Sequence, residues 1–82
     1  MKEERDPVTR KRSILVVDDE PGGLKVVAAT LRQQGFDVDT ALTGGQGLKL
    51  ALEGGYDLVL TDERMPGMTG TEMLRAIRER GV

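Results

Sequence analysis

Two short, wholly apolar runs that each end abruptly in acid constrain this chain more than any other feature. Ile14-Leu15-Val16-Val17 gives way to Asp18-Asp19-Glu20-Pro21, and Leu58-Val59-Leu60-Thr61 gives way to Asp62 and then to Glu63-Arg64-Met65-Pro66-Gly67-Met68-Thr69-Gly70. Branched apolar residues that do not alternate with polar ones read as strands buried on both faces, the pattern of a parallel sheet. Asp18 and Asp62 therefore stand where strands hand over to loops. Pro66 holds its own φ near a turn value and biases Met65 toward an extended conformation, while Gly67 and Gly70 permit backbone angles that other residues avoid. The loop after Asp62 is expected to have a fixed shape.

Between these runs the pattern alternates helix and strand. A first helix is expected from Glu20-Pro21, with Leu24, Val27, Ala28 and Leu31 on one buried face, and Gly35 stops it. Phe36-Asp37-Val38-Asp39-Thr40 alternates apolar with polar and suits a strand near a sheet edge. Thr43 can cap a second helix with Leu48, Ala51 and Leu52 as its apolar stripe, ending at Gly54-Gly55. Thr69-x-x-Glu72 is a capping box opening a third helix that buries Met73, Leu74 and Ile77, with Arg75, Arg78 and Arg80 toward water or its C-terminal end. Strand-helix repeats with short connections point to parallel crossovers in an α/β layer structure. With the half-polar strand at an edge and the apolar strands inside, the spatial order is 2-1-3. The winding reverses between strands one and three, and ligands in such sheets bind at the carboxyl ends beside that reversal. Asp18, Asp19 and Asp62 all fall there.

Three converging carboxylates repel one another unless a cation joins them. With neither cysteine nor histidine in the chain, the metal ligands available are oxygen donors, which favours a hard ion such as magnesium. Magnesium is commonly held by one or two carboxylates while sharing phosphate oxygens, so the cluster fits phosphoryl transfer. Asp62, alone at its strand end beside a glycine-bearing loop, is the candidate attacking carboxylate; the adjacent Asp18 and Asp19 are better placed to hold the ion. Each group alone has an ordinary explanation. An acidic pair after a strand commonly serves a helix N-terminus, and an Asp before a turn is commonly a turn residue. Their joint occurrence at a switch point is what favours a site. Met65 and Met68 are read as packing residues, Glu20 and Glu63 as solvated side chains able to modulate the metal field, and Gly44-Gly45-Gln46-Gly47, which lacks the ending of a phosphate loop, as a flexible helix start.

Composition narrows the function classes. Eighty-two residues suffice for one domain with thin stability. A net charge of −2 and a single Tyr and Phe argue against direct nucleic-acid binding. No apolar run reaches the length of a membrane span and no secretory h-region is present, so a cytoplasmic protein is expected. Residues 1–12, with five basic and three acidic side chains plus Pro7, read as a disordered leader.

The run Ile14 to Pro21, followed after a helix, a strand and a helix by Tyr56-Asp57-Leu58-Val59-Leu60-Thr61-Asp62 and Met65-Pro66-Gly67-Met68-Thr69-Gly70, closely resembles the receiver domain of bacterial two-component response regulators. The resemblance covers residue 13 to the end and implies a partial flavodoxin-like doubly wound sheet, the N-terminal part of a receiver, with strands four and five and their helices absent. It implies that Asp62 is the phosphoacceptor for a sensor histidine kinase's phosphohistidine. Asp18 and Asp19 would be the Mg2+-binding acidic pair, and the backbone carbonyl of Arg64 a further ligand. An output domain in a longer parent protein is implied as well. The family's Ser/Thr at the end of strand four and Lys at the end of strand five, which contact the phosphoryl oxygens, have no counterpart here, so weakened reactivity is expected. The outer edge of strand three, lacking a neighbour, is expected to drive self-association. Two other readings fit parts of the sequence. One is a phosphorylation-independent structural or dimerisation module. The other is a haloacid-dehalogenase-like phosphohydrolase, which expects a second Asp where this chain has Arg64.

Overall fold

The structure, a computed structural model, describes residues 11–81. Most of the expected leader, residues 1–10, lies outside the described residues. The elements alternate as expected: β1 (Ser13–Val17), α1 (Pro21–Gln33), β2 (Asp37–Ala41), α2 (Gly44–Gly54), β3 (Leu58–Thr61) and α3 (Gly70–Glu79). All three strands run parallel, in the order β2-β1-β3. Ile14 pairs in register with Val38 on one side and Leu58 on the other, and Val17 with Ala41 and Thr61.

The apolar run of β1 makes it the centre of the molecule. Residues two apart share a sheet face, so Leu15 and Val17 enter one core and Ile14 and Val16 the other, all four buried. On the first face α2 and α3 contribute Ala51, Met73 and Ile77, and the loop after Asp62 contributes Met65, with Met68 packed alongside. On the second face α1 lays Leu24 and Ala28 over Ile14, Val16 and Val38. The half-polar β2 is the edge strand its alternation predicted.

Helix ends follow the sequence cues. Thr43 caps α2 and Thr69 caps α3 through a complete capping box, and the left-handed Gly55 (φ +69°) ends α2. Glu20, read as solvated, caps α1 by accepting from Gly23 N at 2.9 Å.

Three expectations are corrected. β3 is not buried on both faces: Leu58 and Leu60 are 49% and 38% exposed, because α1 lies over β1 and β2 and, among the described residues, no layer covers their side of β3. Val27, Leu52 and Leu74 lie at the margins of their helices' apolar stripes and are exposed, not buried. Two of the glycines near the start of α2, Gly44 and Gly47, serve close packing, not flexibility: a Cβ on Gly44 would lie 2.9 Å from Met68 Cβ, and one on Gly47 would lie 2.7 Å from both Met73 Sδ and Val17 Cγ2. The helix can approach β1 and α3 this closely because no side chain intervenes.

Candidate metal and phosphoacceptor site

Main-chain hydrogen bonds place the acidic residues before any side chain does. Asp18 N donates to Ala41 O at 3.1 Å, and Asp62 N donates to Val17 O at 2.9 Å. Each aspartate is thus the last residue locked to the sheet, and the two strand ends sit side by side because β1 and β3 are direct neighbours. One carboxylate oxygen from each of Asp18, Asp19 and Asp62 lies within 4.8 Å of the others, Asp18 half-buried and the other two exposed. Asp18 Oδ1 also accepts from Glu20 N at 3.0 Å, which fixes its carboxylate at the start of α1.

The donor set fits magnesium. A Mg–O distance of about 2.1 Å puts two ligand oxygens about 2.9 Å apart when adjacent and about 4.2 Å apart when opposite, so side-chain shifts of less than about 1 Å would close these oxygens on one ion. Exposure of Asp19 and Asp62 leaves room for the waters and phosphate oxygens that such an ion retains. A groove of about 280 Å³ reaches the cluster, lined by Val16, Val17, Asp18, Val27, Leu60, Thr61 and Asp62. A larger cavity of about 620 Å³ lies toward the other end of the sheet, bordered by Lys11, Ser13, Arg32 and Asp37, away from the cluster.

The loop beyond Asp62 is tied down residue by residue. Thr61 Oγ1 donates to Asp62 O at 2.8 Å, and Gly70 N donates to Glu63 O at 3.0 Å. A Cβ on Gly70 would collide with the Asp62 carbonyl oxygen, so this tight passage requires glycine. Arg64 is exposed in the loop, and among the described residues no donor is hydrogen-bonded to its carbonyl. Glu63 is exposed yet bonded: its Oε1 accepts from both Thr71 N and Thr71 Oγ1 at 2.8 Å. The sequence reading missed this pair. The preference for carboxylates at helix N-termini was the available cue, but it needs the loop's shape to show that residue 63 returns to residue 71.

The sequence model of the response regulator receiver domain matches residues 14–82. The chain belongs to this family. Its relatives include the transcriptional regulatory protein YkoG of Bacillus subtilis, 42% identical over 84% of this chain and 30% of that protein. The sensor protein EvgS of Escherichia coli is 41% identical over 89% of this chain and 6% of its own length. The chain thus spans about a third or less of the curated relatives it matches. Among solved structures, the response regulator TrrA of Thermotoga maritima, crystallised in complex with Mg2+ and BeF, superposes with a TM-score of 0.81 at 41% identity, covering 85% of this chain and 61% of that one. Vibrio cholerae CheY4 superposes with a TM-score of 0.83 at 34% identity, covering 87% and 59%. The fold is a partial flavodoxin-like receiver, with three parallel strands in the order 2-1-3 and three helices. Receiver domains act with sensor histidine kinases, are joined to output domains in response regulators, and generally bind Mg2+ at an acidic cluster of the kind Asp18, Asp19 and Asp62 form here. Among the described residues no helix is long and apolar enough to cross a membrane.

Proposed function

We propose that this receiver is a phosphoacceptor, in which Asp62 takes a phosphoryl group from the phosphohistidine of a sensor histidine kinase. Asp18, Asp19, Asp62 and the Arg64 carbonyl would hold Mg2+. The observation that carries this reading is the convergence of three carboxylate oxygens within 4.8 Å at the carboxyl ends of β1 and β3. In the transfer an Asp62 oxygen bonds to phosphorus as the P–N bond breaks. The electron pair stays with the imidazole, which takes up a proton, and the product is an acyl phosphate on Asp62. The bound ion would supply positive charge that offsets repulsion between the carboxylate and the phosphoryl oxygens.

The chain's own contribution is positioning. The β1 ladder holds Asp62 N, and Thr61 Oγ1 and Gly70 hold the main chain on its other side, so the carboxylate projects from a fixed base. The 82-residue chain is expected to associate with a second copy along the outer edge of β3, which no strand pairs among the described residues. Incubation with acetyl phosphate and MgCl2, followed by intact-mass measurement, should show a gain of one phosphoryl group that is alkali-labile and absent from Asp62→Asn. Absence of any adduct from acetyl phosphate and from a phosphorylated kinase alike would overturn the reading.

A further inference from the structure

We propose that Glu63 is a positioning residue for cation binding, acting through Thr71 to fix the peptide that presents the Arg64 carbonyl; this rests on the phosphoacceptor reading of Asp62. The first-turn N–H groups of α3 have no partners within the helix and must find them outside. Gly70 N donates to Glu63 O at 3.0 Å, Thr71 N to Glu63 Oε1 at 2.8 Å, and Glu72 N to Thr69 Oγ1 at 3.1 Å. Glu63 thus takes two of these three donors, one with its main chain and one with its side chain. Thr71 Oγ1 adds a third hydrogen bond to Glu63, the second on Oε1, at 2.8 Å.

A residue anchored at both its carbonyl and its side chain has little freedom to rotate. Glu63 lies between Asp62, whose N is held by β1, and Arg64, whose carbonyl accepts no hydrogen bond among the described residues. The carbonyls of residues 62 and 63 are engaged by Thr61 Oγ1 and Gly70 N, so the chain reaches Arg64 from a fixed direction. The Thr71 contacts also hold the Glu63 carboxylate at α3, and it is not a member of the Asp18, Asp19 and Asp62 cluster. Partners behind a metal's direct ligands orient those ligands, and losing such a partner costs about 10- to 100-fold in metal affinity.

The test is calorimetric titration of Mg2+ into the full chain, with thermal melts of every variant. Glu63→Ala should weaken Mg2+ binding about tenfold. Glu63→Gln, which keeps an oxygen acceptor for Thr71, should stay within about twofold of the parent. Thr69→Ala removes the neighbouring cap of the same helix and should lower the melting temperature without altering Mg2+ affinity. Should Glu63→Ala prove poorly folded, Thr71→Val carries the test, with a measurable loss of affinity that Thr71→Ser restores. If the Glu63 and Thr71 variants lose thermal stability as Thr69→Ala does but bind Mg2+ like the parent, Glu63 is a helix cap only and the proposal fails. If Glu63→Gln loses as much affinity as Glu63→Ala, charge near the ion is the cause and the proposal also fails. A parent chain that still forms the Asp62 adduct in either case leaves the phosphoacceptor reading standing; a parent chain that neither binds Mg2+ nor forms the adduct overturns both.

Discussion

Replacing Asp62 by Asn should stabilise the metal-free protein, and the structure sets the size of the gain. Asp62 brings one carboxylate oxygen within 4.8 Å of oxygens of Asp18 and Asp19, from which it is more than forty residues away in sequence. Folding therefore creates two repulsions that the unfolded chain lacks. At that separation a pair of unit charges costs about 0.9 kcal/mol at the dielectric constant of water, a value suited to the exposed Asp19 and Asp62 and a lower bound for the pair with the half-buried Asp18. A Debye length of about 8 Å at physiological ionic strength reduces each to about 0.5 kcal/mol. The isosteric amide removes both, for a gain of about 1 kcal/mol, or about 4 to 8 °C in melting temperature for a domain of this size. Thermal melts followed by circular dichroism in EDTA, at low and at physiological salt, measure it. The gain should shrink as salt rises, and it should vanish or reverse in saturating Mg2+, where the parent chain gains binding energy that the variant largely forgoes. An Asp62→Asn protein no more stable than its parent in EDTA at low salt would refute the claim that these three carboxylates crowd one another.

Three further outcomes follow from the packing. Gly47→Ala should destabilise by about 1 to 2 kcal/mol, overpacking against Met73 and Val17 outweighing the helix-propensity gain, whereas Gly45→Ala, with open space around its Cβ, should stabilise by up to about 1 kcal/mol; urea unfolding of the pair checks both signs. Partial burial, reinforced by a 2.6 Å hydrogen bond donated to Asp39 and by the charges of Asp39 and Glu53, pushes the Tyr56 phenol up to about 12 from its ordinary 10. Its contribution to stability, no more than about 1 kcal/mol after solvent screening, is present below pH 10 and lost as pH rises from 10 to 12, because the unfolded phenol releases its proton first; absorbance titration of this single tyrosine should show the raised pKa, and Tyr56→Phe should remove that part of the pH slope. Sedimentation of the 82-residue chain should show concentration-dependent association that Leu58→Lys together with Leu60→Lys suppresses, since both side chains are exposed beside an unpaired strand edge.

Much of this architecture was legible in the residues because its causes are local. The alternation of Phe36 to Thr40 against the unbroken apolar run of Ile14 to Val17 was enough to put β2 at an edge and β1 in the centre. From that order the meeting of Asp18, Asp19 and Asp62 followed. Thr43, Thr69 and Glu72 announced their helix starts because capping is a matter of spacing along the chain. What stayed hidden depends on distant parts of the fold. Apolar character shows that Leu58 and Leu60 seek cover, but not whether a layer lies above them. The crowding at Gly47 arises from Met73 and Val17, residues on two other elements. Glu63 looked like any solvated acid because its partner, Thr71, is brought back to it only by the closed turn through Pro66 and Gly67.

The central strand separates two packing compartments, with Leu15 and Val17 facing α2 and α3, and Ile14 and Val16 facing α1. β1 acts like a tongue clamped between two jaws, with the Asp18-Asp19 pair at its tip. A change of side-chain volume in either jaw tilts the same tip, so substitutions on opposite sides of the sheet should act on the acidic pair through one shared displacement, reinforcing or cancelling each other according to which way each pushes.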